Sequence, residues 1–208
     1  MRFSNSVVLR YKSLELSPIR FRDKRTYQEV RSFNKEWLTP WDATMPPEGL
    51  SQNRMIDPAF DSASAAAFTS FYLAAKKGLR DKSSVTLAIR VRGKFVGIIS
   101  ASNMVYGSAR ATQVGYWIDQ RHSRKGLTTL AVALLTDYLF QERLMHRVEV
   151  VIRPENEPSL KIVAKLGFRE EGMRPNYLHI NGQWRDHRVF ALHQEEFGTG
   201  LVNRLLNK

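Results

Sequence analysis

Two junctions in this chain carry residue types suited to holding a phosphate or ordering a polar ligand. The first runs from Ile118 to Thr129 through Asp119-Gln120-Arg121-His122-Ser123-Arg124-Lys125-Gly126-Leu127-Thr128. A β-type run ends at Ile118, a basic turn follows, and a helix-type run begins at Leu127. The first N–H groups of a helix lack intrahelical acceptors and carry partial positive charge, so such a junction can take a pyrophosphate. Gly126 permits close approach of a phosphate to the backbone. Arg124 and Lys125 add charge, and the Thr128 and Thr129 hydroxyls can donate. A plain turn that binds nothing accounts for these residues equally well. The second junction is Arg153-Pro154-Glu155-Asn156-Glu157-Pro158-Ser159. Asn156 is suited to cap the next helix, Glu157 complements its dipole and Pro158 fits its first turn. Capping alone accounts for Asn156, and Ser159 can be a first-turn hydroxyl without consequence. Gly115, in mid-strand, reads as packing room for Trp117 rather than as a bulge or a close backbone approach.

Other chemistries are closed. The sequence has no cysteine, which excludes disulfides, thiolate metal sites and a cysteine nucleophile. His122, His146, His179, His187 and His193 are scattered without ligand spacing, so no metal is expected.

The hydrophobic pattern supplies the elements that must position these junctions. Residues 7–11 read as a short strand. A polar amphipathic helix is expected from Asp23, its N-cap, to Leu38, broken by Thr39-Pro40 and by Pro46-Pro47-Glu48-Gly49. A second helix is expected over 61–77, stopped by Gly78. Residues 85–91, 95–100 and 111–118 form an antiparallel meander with a hairpin turn at Arg92-Gly93-Lys94. Leu127, Leu130, Ala131, Leu134, Leu135 and Tyr138 mark one face of an amphipathic helix. Residues 148–152 read as a buried strand, and Leu160, Val163, Ala164 and Gly167 as a short helix ended by glycine. Late strands follow over 168–173, 177–180 and 184–192, with a type I′ turn at Asn181-Gly182. This order is α+β, with parallel character where the central helix crosses over.

At 208 residues the chain suits a single domain over 1–208, and 43% hydrophobic residues suffice for a core. No apolar run reaches the ~18 residues of a membrane span, and the apolar start is too short for a secretory signal. A soluble, cytoplasmic protein is expected. The net charge of +12 is spread along the chain without a basic tail. It is either a solvated basic face or a surface that attracts polyanions.

The succession of strand, Ser123-Arg124-Lys125-Gly126-Leu127-Thr128, long helix, strand, Asn156-Glu157-Pro158-Ser159 and Lys165-Leu166-Gly167-Phe168-Arg169-Glu170-Glu171-Gly172 resembles the GNAT acetyltransferases. Within them it is similar to the RimJ/RimL branch, the ribosomal-protein-alanine N-acetyltransferase type. The similarity runs from about Val7 to Leu192 and is most specific from Gly115 to Gly172. It implies a GNAT fold: a central mixed, mostly antiparallel sheet, splayed at the cofactor site and flanked by helices. It divides the chain into an acceptor-side strand and helices (1–80), a cofactor-binding core (81–193) and a C-terminal helix (194–208).

The resemblance further implies acetyl-CoA as acetyl donor, with CoA as product. Its pantetheine would lie against Tyr116, Trp117 and Ile118, and its pyrophosphate against Ser123, Arg124, Lys125, Gly126, Leu127, Thr128 and Thr129. Asn156 would bond the pantetheine arm, and Ser159 would act catalytically beside the thiol. The family's loop is Gln/Arg-x-x-Gly-x-Gly/Ala, from which Ser123 and Thr128 depart. Some relatives carry a glutamate base where this chain has Asn176-Tyr177-Leu178-His179, leaving Tyr177, His179 or water for that role. The implied acceptor is a protein N-terminus, a ribosomal protein among the possibilities, approached with the basic surface near RNA. An α-amine, with pKa near ~8 against ~10.4 for lysine, needs less help from a base. A polyamine or aminoglycoside acceptor, or a non-catalytic acyl-CoA-binding module, are the alternatives. Trp37, Trp41, Pro46 and Pro47 are expected to border the acceptor groove.

Overall fold

The computed structural model describes residues 7–46 and 63–206. The expectations for Pro47, Glu48, Gly49 and Asp61 lie outside the described residues. A tight turn with Lys12 at φ 50° folds the first strand back on itself as β1 (Leu9–Tyr11) and β2 (Leu14–Pro18). β2 is absent from the sequence-based expectation. Its five residues end in proline, and its partner, strand β3 (Val85–Val91), lies some seventy positions away.

The expected single helix over Asp23 to Leu38 is two, α1 (Lys24–Phe33) and α2 (Lys35–Leu38). The break is at buried Asn34, whose Nδ2 donates to the Val30 carbonyl while its Oδ1 accepts from the Gln120 N–H, 2.8 Å each. Asp23 precedes α1 but does not cap it with its side chain. Its carboxylate instead accepts two bonds from buried Arg90, at 3.1 and 2.6 Å, and one from the Arg20 N–H. Helix α3 (Ala65–Asp81) is capped by Ser64 and runs through Gly78, ending at Lys82 in the left-handed region. Gly78 is therefore a point of close approach, since a Cβ there would lie 1.9 Å from Ser84 Oγ.

β3 and β4 (Lys94–Val105) form the expected hairpin, with Arg92 and Gly93 both at positive φ. β5 (Ala111–Ile118) completes the meander. α4 (Leu127–Gln141) crosses over to β6 (Arg147–Ile152), and α5 (Glu157–Leu166), ended by Gly167 at φ 81°, leads to β7 (Arg169–Ile180). The expected break between 173 and 177 is a register shift inside one strand, between Arg174 and Leu178. A tight turn at Asn181-Gly182, both at positive φ, returns the chain as β8 (Gln183–His193). The expected C-terminal helix is two short pieces, α6 (Gln194–Phe197) and α7 (Leu201–Leu206). Gly198 and Gly200, at positive φ, separate them.

Among the described residues eight strands form one sheet, in order β1-β2-β3-β4-β5-β6-β8-β7. β5 and β6 are parallel and every other pair is antiparallel. The main core lies between the sheet and α4, α5 and α7. α4 buries more than one face: Val132, Ala133, Leu139 and Phe140 are sealed along with Ala131 and Leu135. A helix apolar nearly all round is a core helix, not a surface one. A smaller core, with Tyr27, Phe68 and Phe95, packs α1 and α3 on the sheet's other side.

Candidate active site

The sheet opens between its two parallel strands. Pairing of β5 with β6 stops after Gln113–Glu149, although β5 runs on to Ile118 and β6 to Ile152. β6 stays paired with β8 through Ile152, so the parting is local. The gap is a cleft of about 370 Å³ lined among others by Gly115, Tyr116, Ile152, Asn156, Ser159 and His187. Backbone direction inside it follows from alternation along the strand. The Asp119 N–H donates to the Val96 carbonyl, and the Trp117 carbonyl abuts Gly97, so these two face β4. Val114, Tyr116 and Ile118 therefore turn their backbone groups toward the gap. Trp117 does not: its ring packs on Tyr27, Phe95 and the Arg31 guanidinium, in the small core.

Each parted strand feeds one helix. After β5, Asp119 is buried and locks the turn, accepting from the Arg121 N–H at 3.0 Å and from its guanidinium. Ser123 Oγ donates to the Gln120 carbonyl, and Lys125 Nζ folds back to the Arg121 carbonyl. Arg124 and Gly126 take positive φ, 57° and 73°. α4 has no side-chain cap, and its first internal bond is Leu130 N–H to the Gly126 carbonyl. The N–H groups of Leu127, Thr128 and Thr129 precede that bond and have no partner among the described residues. A Cβ at Gly126 would meet nothing within 4 Å, so φ, not crowding, calls for glycine there. After β6, by contrast, Asn156 Oδ1 accepts from the Ser159 N–H at 3.2 Å and closes the start of α5.

Gly115 has a different role from the one expected. No bulge occurs there, and its Cβ direction is open space inside the cleft. The Tyr116 hydroxyl is buried with no hydrogen-bond partner of ordinary geometry among the described residues. Burial pushes it up to about 12, offset slightly by neighbouring Ser159. Among the described residues that line the cleft Arg153 is the only Lys, Arg, Asp or Glu, and its Nη1 donates to the Pro40 carbonyl at 2.7 Å. Its guanidinium lies over Trp41, which lines the cleft; Trp37 does not. Ala43 bridges to Ile180, and Thr44 bonds His179, so the chain at 41–44 roofs the cleft.

Neither side-chain base candidate from the sequence enters the cleft. Tyr177 sits beneath the Arg174 guanidinium and edge-on to the His187 ring. The His179 imidazole is held by Thr44 and Trp184. The residue that does line the cleft is His187, which sequence reasoning left among scattered histidines. Period two from the apolar Val189 and Ala191 along β8 places it inward, and that was the available signal. Burial lowers its pKa below the usual histidine value, and Arg153 adds to the effect. A second recess, about 640 Å³, lies between α1 and the β3–β4 turn. Its Arg90–Asp23 and Arg121–Asp119 pairs satisfy each other, and it opens no sheet edge.

A family model described as an Acetyltransferase (GNAT) domain matches residues 13–169. The chain belongs to the GNAT acetyltransferase family. The [Ribosomal protein uS5]-alanine N-acetyltransferase of Escherichia coli (strain K12) is 36% identical over 107 residues, 51% of this GNAT chain and 55% of that protein. The spermidine N(1)-acetyltransferase of the same organism is 27% identical over 121 residues, 58% of this chain and 64% of that protein. The matches thus span about half to two thirds of those relatives' length. The solved structure of Mycobacterium smegmatis RimJ in complex with CoA-disulfide is 28% identical, with a TM-score of 0.86, covering 97% of this chain and 93% of that one. The eight-stranded, helix-flanked α+β architecture is the GNAT fold. Among the described residues no group of three or more His, Asp or Glu could hold a metal ion.

Proposed function

We propose that this protein transfers the acetyl group of acetyl-CoA to an amine, and that the amine is the N-terminal α-amine of a protein, with a ribosomal protein as the leading candidate. The observation that carries the proposal is the parting of β5 and β6 next to an uncapped helix start. The resident groups fit acetyl-CoA. The open N–H groups of Leu127, Thr128 and Thr129, with Arg124 and Lys125 beside them, suit a pyrophosphate. Ser123 would contribute through turn geometry, because its hydroxyl is engaged by Gln120. The gap offers the Tyr116 and Ile118 backbone, the Asn156 amide, and the Tyr116 hydroxyl, whose burial leaves it needing a polar partner.

Acetyl-CoA supplies an activated thioester; positioning falls to the chain. An amide N–H of Val114, Tyr116 or Ile118 would stabilise charge developing on the acetyl oxygen, and one such donor is worth ~3–4 kcal/mol in other enzymes. The Ser159 hydroxyl is our candidate for the leaving sulfur. The amine must be neutral to attack, which favours an α-amine (pKa about 8) over lysine (about 10.4). Among the described residues no carboxylate lines the cleft to hold a polyamine's ammonium groups. The net charge of +12 favours approach to ribosomal RNA, and we assign the protein to the cytoplasm. No helix among the described residues is long and apolar enough to cross a membrane.

The test is intact mass after mixing the protein with acetyl-CoA and peptides of varied first residue, each carrying an internal lysine. One acetyl added at the α-amine is the expected result. Acetyl on lysine, or on spermidine alone, moves the acceptor to another amine class. Cofactor binding without any transfer leaves a non-catalytic acyl-CoA-binding module.

A further inference from the structure

Acetyl transfer from a thioester to an amine releases one proton from the amine nitrogen, and something in the cleft must take it. The chain has no glutamate where some relatives carry one, and Tyr177 and His179 are turned to other partners. His187 differs from both. It sits on β8 at a position 4% exposed, and it lines the cleft together with Tyr116, Asn156 and Ser159. Its Nδ1 lies 3.0 Å from the Arg185 carbonyl oxygen. A carbonyl oxygen only accepts, so in the neutral ring Nδ1 carries the hydrogen and Nε2 holds the lone pair. Nε2 has no hydrogen-bond partner among the described residues. This is a base with its tautomer set from behind and its acceptor nitrogen unengaged.

We propose that His187 is the general base of the reaction, taking the amine proton on Nε2 directly or through one water. The assignment rests on the acetyl-transfer function proposed above. In the step, the amine nitrogen forms a bond to the acetyl carbon, the carbon–sulfur bond breaks, and the sulfur leaves with its electron pair. The amine proton goes to Nε2 and is then released to the thiolate or to solvent. The charged and titratable groups around the ring include Arg153 just after β6, Glu155 in the turn that follows, Asp186 on β8, and Tyr177 and Arg174 on β7, Arg174 being the cross-strand partner of His187. Tyr116 faces the same cleft from β5. Burial and Arg153 lower the pKa while the bond to the Arg185 carbonyl, Asp186 and Glu155 oppose them, and the net direction is downward, toward the neutral ring.

The test compares wild type with His187→Asn, which keeps an N–H for the Arg185 carbonyl and deletes the lone-pair nitrogen. Peptide acetylation should fall about 100-fold in kcat, within the usual range for a lost general base. Acetyl-CoA affinity by calorimetry should be unchanged. Wild-type kcat should show an acidic limb below the ordinary histidine value of 6.5, and the variant should lack it. Added imidazole should restore part of the rate of His187→Ala. Full kcat in His187→Asn with the same pH profile would overturn the assignment while leaving acetyl transfer intact. Should the variants fail to fold, a wild-type profile without the acidic limb would overturn it equally. A wild type that acetylates no amine would instead defeat the proposed function itself.

Discussion

The starts of α4 and α5 are the same device used in two ways. Each follows one of the two strands that part, and the resemblance implies a cofactor contact at each. At α5 the helix is closed by its own side chain, Asn156, whose Oδ1 takes the Ser159 N–H. At α4 no side chain caps the helix, and the turn before it is instead tied inward by Asp119, Ser123 and Lys125. A capped start has already satisfied a donor and gains little from an anion; an uncapped start still has donors to satisfy. The difference teaches that a strand–turn–helix unit becomes a candidate phosphate site by what its sequence withholds as much as by what it supplies.

The largest effect should come from breaking the open start. Gly126→Glu puts negative charge at the donors and strains φ, and acetyl-CoA affinity should fall by about 100-fold or more, ~2.7 kcal/mol, as like charges brought together cost several kcal/mol. Calorimetry measures it, and unchanged affinity removes the pyrophosphate assignment. Gly115→Val fills part of the cleft between the two starts. Its Cβ meets no protein atom, so thermal stability should hold while acetyl-CoA affinity drops about tenfold, ~1.4 kcal/mol. Equal losses of both would show that Gly115 is packing after all. Asn156→Ala sharpens the other side of the comparison. Stability should fall by ~1 kcal/mol from the lost cap, and acetyl-CoA affinity should weaken as well. If denaturant melts shift and calorimetry does not, Asn156 is only a cap.

The smallest effect concerns pH. His187 has a lowered pKa in the fold, so the unfolded chain binds its proton first. Its contribution to stability is complete above the unfolded value of 6.5 and is lost as pH falls through the lower folded value. His187→Asn should therefore flatten a shallow acid-side decline in melting temperature, and an identical slope in both proteins would contradict the burial argument.

Elements made by local pattern were legible in the sequence. The Arg92-Gly93 and Asn181-Gly182 turns, the Gly167 helix stop and the helix starts at Leu127 and Glu157 all rest on residues within a few positions of one another. So did the two junctions of the site, because caps and glycines act over one turn. What failed rests on partners far along the chain. Asp23 looks like a cap until Arg90, 67 residues away, takes its carboxylate. Gly78 looks like a stop until Ser84 packs against it. Asn34 splits a continuous amphipathic stretch because Gln120 needs its oxygen.

By itself, then, the sequence determined the family, the α+β order and the two helix junctions. Only the tertiary structure decided which backbone groups of β5 face the gap, that Trp117 packs away from it, and that His187 rather than Tyr177 lines it. The physical reason is that strand parting and side-chain direction depend on pairing register across the sheet, and register is set by contacts between β4, β5, β6 and β8 that no local window contains.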